Sequence, residues 1–184
     1  MPKISKEMVV AAPADAVWHV LGPGFAQIGE WATAIPASTA VSADDTWPGG
    51  QPKTGGNGAG GLIDAPVFGR LCATGLRMVA EVVETLIAYD DAGRTLTYEA
   101  SEMPAFVTIA RNTWTVVPLS DQGCKVTLDA QFDTRGLVGA LARHILLLQV
   151  GRTSRHLGED LRHYVEHGTP SRRKMRQLAR CKRS

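Results

Sequence analysis

The stretch Lys125-Val126-Thr127-Leu128-Asp129-Ala130-Gln131-Phe132-Asp133-Thr134, followed at once by Arg135-Gly136-Leu137-Val138-Gly139-Ala140-Leu141, decides the fold. In its first part Val126, Leu128, Ala130 and Phe132 alternate with Thr127, Asp129, Gln131 and Asp133. A period of two puts the apolar set on one face and the polar set on the other, the mark of a half-buried β-strand. At Gly136 the period changes. Leu137, Leu141, His144 or Ile145, Leu148, then Leu157, Leu161 and Val165 recur three or four residues apart, as on one side of a helix. The spacing predicts a single helix over 137–167, ended by Gly168 and Pro170.

Upstream, strand signals come in series with short turns between them. Ser120-Asp121-Gln122-Gly123 turns back into Phe106–Leu119, which follows Pro104. Asp90-Asp91-Ala92-Gly93 joins Leu76–Tyr89 to Arg94–Ser101, and its glycine is expected to supply a positive φ. Phe68–Ala73 and 38–44 read as further strands. Turns this short make an antiparallel meander and exclude a parallel sheet with crossovers. Before them, residues 3–12 form a first strand. Pro13 opens a helix that runs to Leu21 and stops at Gly22-Pro23-Gly24. A short helix or turn covers Phe25–Trp31. The one irregular stretch is Trp47–Gly61, with seven glycines and two prolines in fifteen residues. It is expected to be a mobile loop.

The predicted class is therefore α+β, a curved antiparallel sheet wrapped around a long C-terminal helix, with two short helices after the first strand. The apolar side of the long helix must be covered by the concave face of the sheet. A curved sheet and a straight helix meet poorly at their ends, which leaves room for a cavity.

Composition narrows the function classes. The chain has 184 residues, 44% hydrophobic and 21% charged, enough for one core and outside the disordered and membrane-spanning classes. The net charge of +2 hides an asymmetry. Residues 171–184 carry seven of the twenty basic residues and no acid, so the body, residues 1–170, is about five charges negative. A nucleic-acid surface would place positive charge on the body, so no nucleic-acid partner is expected. The expectation is one domain over 1–170 and a basic, disordered tail over 171–184. Cys72, Cys124 and Cys181 form no CxxC pair, and no HExxH or phosphate-loop motif is present. No metal and no cofactor are predicted, and the cysteine usage and lack of a leader point to a cytoplasmic protein, monomer or homodimer.

The order of elements, with certain local motifs, resembles the START-like, helix-grip superfamily in its bacterial polyketide cyclase/dehydrase-like (SRPBCC) branch. Ala12-Pro13-Ala14-Asp15-Ala16-Val17-Trp18-His19-Val20-Leu21 is similar to that family's opening block, and Gly29-Glu30-Trp31 to the tryptophan that follows its short helices. Gly69-Arg70, Gly75, Glu84-Thr85-Leu86 and Asp90 match a recurrent spacing in its strands, with Arg94–Tyr98 and Pro104 continuing it. The resemblance covers about residues 4–168. The Gly/Pro-rich stretch is longer than the family's, and the basic tail lies outside its pattern. The resemblance implies a ligand cavity between sheet and last helix. Its members bind lipids, polyketides or other apolar molecules, and some catalyse cyclisation or dehydration.

Candidate site residues follow from parity. Glu84 shares a strand face with Met78, Val82 and Leu86, and a carboxylate there needs a partner. The family's matching glutamate points into the cavity. Arg70 or Arg111 can pair with it, and Arg70 can instead hold a ligand carboxylate. Asn112, on the parity of Phe106, Thr108 and Trp114, and Tyr98 on an apolar wall are candidate polar contacts. Trp31 and Phe106 are candidate wall residues, as are Leu141, His144 and Leu148 on the long helix. His144 is either packed in the core or a general base. His19, His156, His163 and His167 read as solvated. The leading functional expectation is a binder of a small hydrophobic, lipid- or polyketide-like molecule. The second is a cyclase or dehydratase with Glu84 as base and Arg70, Asn112 or Tyr98 polarising an oxygen. The third is an interaction protein that binds anionic partners through its tail.

Overall fold

The computed structural model describes residues 3–42, 65–74 and 79–181, and not the side chains at 138, 142–144, 146 and 181. The Gly/Pro-rich stretch 47–61, the residues 76–78 assigned to a strand, the side chain of His144 and that of Cys181 lie outside the described residues. The chain runs β1 (Lys3–Val10), α1 (Ala14–Leu21), a 3-10 turn (Phe25–Gln27), α2 (Ile28–Trp31), β2 (Ala37–Val41), β3 (Gly69–Ala73), β4 (Glu81–Asp90), β5 (Thr95–Ser101), β6 (Val107–Ser120), β7 (Gly123–Thr134), α3 (Gly136–His167) and α4 (Arg172–Cys181).

The seven strands form one antiparallel sheet in the order β1-β7-β6-β5-β4-β3-β2. Apart from the β1–β7 pairing, every neighbour in space is a neighbour in sequence, as the short turns require. The connection through α1 and α2 joins β1 to β2, the two edge strands of the sheet. β7 shows the alternation that predicted it, with Cys124, Val126, Leu128, Ala130 and Phe132 buried. α3 is the long helix, and Gly168 ends it in the left-handed region with φ 67° while its N–H donates to Tyr164 O at 2.8 Å.

The core closes one end of the sheet. Val17, Trp18 and Leu21 of α1 pack with Phe25, Leu96, Trp114, Val126 and Leu161 in one buried cluster. Asp91 ties that end together, accepting from Trp18 Nε1 at 2.7 Å and Tyr89 Oη at 2.9 Å. These two hydrogen bonds hold its carboxyl below the ordinary carboxylate range.

Three expectations are corrected. In the Asp90–Gly93 turn the positive φ falls on Arg94 (49°), not on Gly93. Gly93 is small for another reason: a Cβ there would meet the Asp90 carboxylate, which accepts the Gly93 N–H at 2.8 Å. The helical period of α3 is two rows, not one. Leu157 and Leu161 are buried, whereas Leu137, Leu141, Ile145 and Leu148 are exposed. Finally, the tail expected to be disordered forms α4 over 172–181. Its anchor is Lys174, fully buried, whose Nζ donates to Ile35 O at 2.7 Å and Pro36 O at 3.3 Å. Gln177 donates to Thr33 O, and Ser171 donates to Asp160, whose other oxygen accepts the Thr33 N–H at 2.7 Å. A count of charges does not anticipate this, because one lysine uses its positive charge on backbone carbonyls of the segment between α2 and β2.

Candidate functional site

β3 and β4 bring together the two groups singled out as a pair. In their register Arg70 stands opposite Glu84, and residues directly opposite in antiparallel strands share a face. Arg70 Nε donates to Glu84 Oε2 at 2.5 Å. The guanidinium is 4% exposed and the carboxylate 13%, so the acid is the member of the pair nearer to solvent. Gly69 permits this closeness: a Cβ there would lie 2.6 Å from Glu84 O.

Around the pair the chain supplies a lining that parity partly predicts. Arg70 Nη1 donates to Phe25 O at 2.6 Å. The guanidinium carbon lies 3.9 Å from the Phe25 ring centroid and 5.0 Å from that of Tyr98, so the cation is stacked as well as hydrogen-bonded. Burial is the largest influence and would lower the Arg70 pKa, but the Glu84 charge and hydrogen bond, with Tyr98 and Cys72, together hold the group above its ordinary value. Cys72, two residues along β3 on the same face, donates from Sγ to Glu84 Oε2 at 3.6 Å. Burial, and then the Glu84 charge, push its thiol up to about 12. Tyr98 is buried too, and burial with the Glu84 charge raises its phenol above the ordinary value. Arg70 is thus a buried, permanently charged group, and the groups around it are held protonated or paired.

The remaining candidates separate into three groups. Asn112 stands opposite Tyr98 and Ala130, on the inner face and half-buried. Ala100, opposite Glu84, and Ala110, two residues from Asn112, are half-buried beside it. One step toward the closed end, Leu96 and Trp114 are fully buried. The inner face is therefore sealed at Leu96 and Trp114 and less completely covered toward Glu84 and Asn112, where half-buried positions stand beside buried Tyr98, Ala130 and Phe132. Trp31 lies in the core cluster, buried, and its indole N–H has no partner among the described residues.

Phe106 precedes β6, and a bulge between Val107 and Ile109 resets the alternation. Val107, opposite Thr134, takes the face that simple parity gave to Phe106. Leu141 and Leu148 project outward from α3, 80% and 65% exposed, and do not line the inner face. Arg111 pairs with Glu99 on the outer face and not with Glu84. His19, His156 and His167 are exposed. His156, His163 and His167 line a polar surface hollow between α3 and α4.

Sequence reasoning missed Phe25 and Cys72. Cys72 was findable, since it shares parity with Arg70. Phe25 was not, because its carbonyl carries no side-chain signal. No group of three or more His, Cys, Asp or Glu capable of holding a metal occurs among the described residues. No helix among them is long and apolar enough to cross a membrane.

The family model described as polyketide cyclase/dehydrase and lipid transport matches residues 1–165. Among curated proteins none matches the sequence. Solved structures of the same fold include the Zhui aromatase/cyclase from a Streptomyces species, with 20% identity, TM-score 0.64, and coverage of 92% of this chain and 99% of that one. A START superfamily protein from Mycobacterium smegmatis is 16% identical at TM-score 0.55, covering 91% and 99%. Norcoclaurine synthase of Thalictrum, solved as a point mutant with a transition-state analogue, is 19% identical at TM-score 0.62, covering 91% and 96%. At these identities the likeness is one of fold.

Proposed function

Because the chain belongs to the polyketide cyclase/dehydrase and lipid transport family, we propose that it binds a small hydrophobic molecule against the open end of the sheet. The ligand's polar end meets the Arg70–Glu84 pair. The observation that carries this reading is the contrast along the inner face. Leu96 and Trp114 are sealed, while Glu84, Ala100, Ala110 and Asn112 on the same face are partly open. Two alanines there leave volume that larger residues would fill, and a carboxylate and an amide give polar contacts at its rim. Apolar walls with few convergent polar groups are the usual make-up of a ligand site.

The pair supports orientation more than catalysis. Arg70 and Cys72 both bond to Glu84 Oε2, so the carboxylate is already engaged as an acceptor. A ligand hydroxyl or other donor fits such a group, whereas a ligand carboxylate meets Glu84 first and is repelled. The cyclase or dehydratase reading makes Glu84 the base instead. Glu84→Gln separates the two, measured by calorimetric titration and product assay with whatever molecule co-purifies. A binder loses about 1–2 kcal/mol of affinity, a weakened charge-assisted hydrogen bond. An enzyme keeps most of its affinity and loses ~10²–10⁴ in turnover. Unchanged affinity and turnover would remove Glu84 from the site.

A further inference from the structure

The first half of α3 turns a row of large aliphatic side chains to the outside. Leu137, Leu141, Ile145 and Leu148 are between 65% and 86% exposed. Their spacing keeps them on one side of the helix, over a length of about 17 Å at 1.5 Å per residue. The core-facing side is a different one: Ser154, Leu157, Gly158 and Leu161 are buried, and Gly158 lies against Met8 of β1. At about 100° per residue the two rows are nearly opposite. The outward row is therefore not core surplus, and a contiguous apolar patch of this kind marks an interaction surface.

Charge identifies the partner. Continuing along the outward side, Arg152 and Arg155 are exposed, and Arg135 is exposed at the start of the helix; the exposed acids of that side, Glu159 and Glu166, lie beyond Arg155 in the second half of α3. Between Asp133 and Glu159 the sequence holds four arginines and no acid. A second copy of this chain would bring two such acid-free faces together, like charge against like. An anionic bilayer supplies the opposite sign and an apolar layer at the right depth.

We propose that the outward side of the first half of α3, from Leu137 to Arg155, docks on an anionic lipid surface. Its aliphatic row enters the headgroup–acyl boundary, and its arginines remain at the level of the phosphates. The contact uses the face of α3 opposite its core-facing residues and does not depend on what the Arg70–Glu84 pair binds.

The test is co-sedimentation of the full chain with ligand-free vesicles of phosphatidylcholine alone and of phosphatidylcholine mixed with phosphatidylserine. Binding is expected to the mixed vesicles, stronger by on the order of tenfold or more and weakened by salt. The double variant Leu141→Glu/Ile145→Glu lowers that binding by on the order of tenfold or more. Arg152→Glu/Arg155→Glu abolishes the preference for the anionic lipid. These side chains are exposed, so both variants keep the wild-type urea midpoint, which separates lost docking from lost folding. Equal binding to both vesicle types, or binding unchanged in the leucine–isoleucine variant, would overturn the proposal. So would a dimer in sedimentation velocity that this variant dissociates while wild-type protein ignores vesicles.

Discussion

Replacing Arg70 and Glu84 singly and together should give a strongly non-additive result. Glu84→Leu leaves a guanidinium that is 4% exposed without its counter-charge. Among the described residues it retains the bond to Phe25 O and the stacking on Phe25 and Tyr98. Breaking a buried pair from one side costs about 3–5 kcal/mol, because the remaining charge is neither solvated nor paired. Arg70→Met belongs at the lower end of that range, since Glu84 is 13% exposed and water can reach it. For a chain of this length each kcal/mol moves the melting temperature by about 2–4 °C, so either single change lowers it by about 6–20 °C. The double variant Arg70→Met/Glu84→Leu places two apolar side chains of similar size in the same space. It should lie within about 2 kcal/mol of wild type. Urea unfolding of the four proteins with linear extrapolation gives the coupling energy, expected to be several kcal/mol. Single changes costing under about 1 kcal/mol each, with an additive double, would show that the pair is solvated and not buried.

Five further outcomes follow from other parts of the molecule. Lys174→Met should cost about 1.5–3 kcal/mol by removing a charged donor from the Ile35 and Pro36 carbonyls, and truncation after Gly168 should lower the melting temperature by several degrees in calorimetry. Gly69→Ala should destabilise by about 1–3 kcal/mol and open β3 to amide exchange, since its Cβ would collide with Glu84 O and backbone cannot step aside. Asp91 has its folded pKa lowered by bonds from Trp18 and Tyr89, so its stabilisation is present above the unfolded value of about 3.9 and fades as pH falls through the folded value. The stability gap between wild type and Asp91→Asn should accordingly be constant near neutrality and shrink on acidification, as read from urea midpoints at stepped pH. With its thiol near 12 and its side chain buried, Cys72 should resist alkylation at neutral pH until urea unfolds the chain.

The sheet and the long helix were legible because their periods differ. Val126 to Phe132 alternate by two, and residues after Gly136 do not, whatever they pack against. The pairing of Arg70 with Glu84 was legible from parity, since two charges on the inner faces of adjoining strands have few other partners. Parity failed at Phe106, where a single extra residue at the Val107–Ile109 bulge exchanges the faces. The helical period failed at Leu137–Leu148. Spacing fixes which residues share a side of a helix, but drift over thirty residues decides whether two such groups share the same side. The tail failed for a third reason. Composition treats lysine as a solvated charge, and nothing local to Lys174 reveals that the carbonyls of Ile35 and Pro36 wait for it across 139 residues of chain.

The most direct test of the central claim is native mass spectrometry of freshly purified wild-type protein beside Ala100→Trp. Ala100 stands opposite Glu84 on the open part of the inner face, and an indole there fills the space that the ligand is held to occupy. The account predicts an apolar adduct on the wild-type chain, or uptake of a hydrophobic fluorescent probe where none co-purifies, and loss of both in a variant that still folds. Equal occupancy of the two proteins, or none in either, would contradict it.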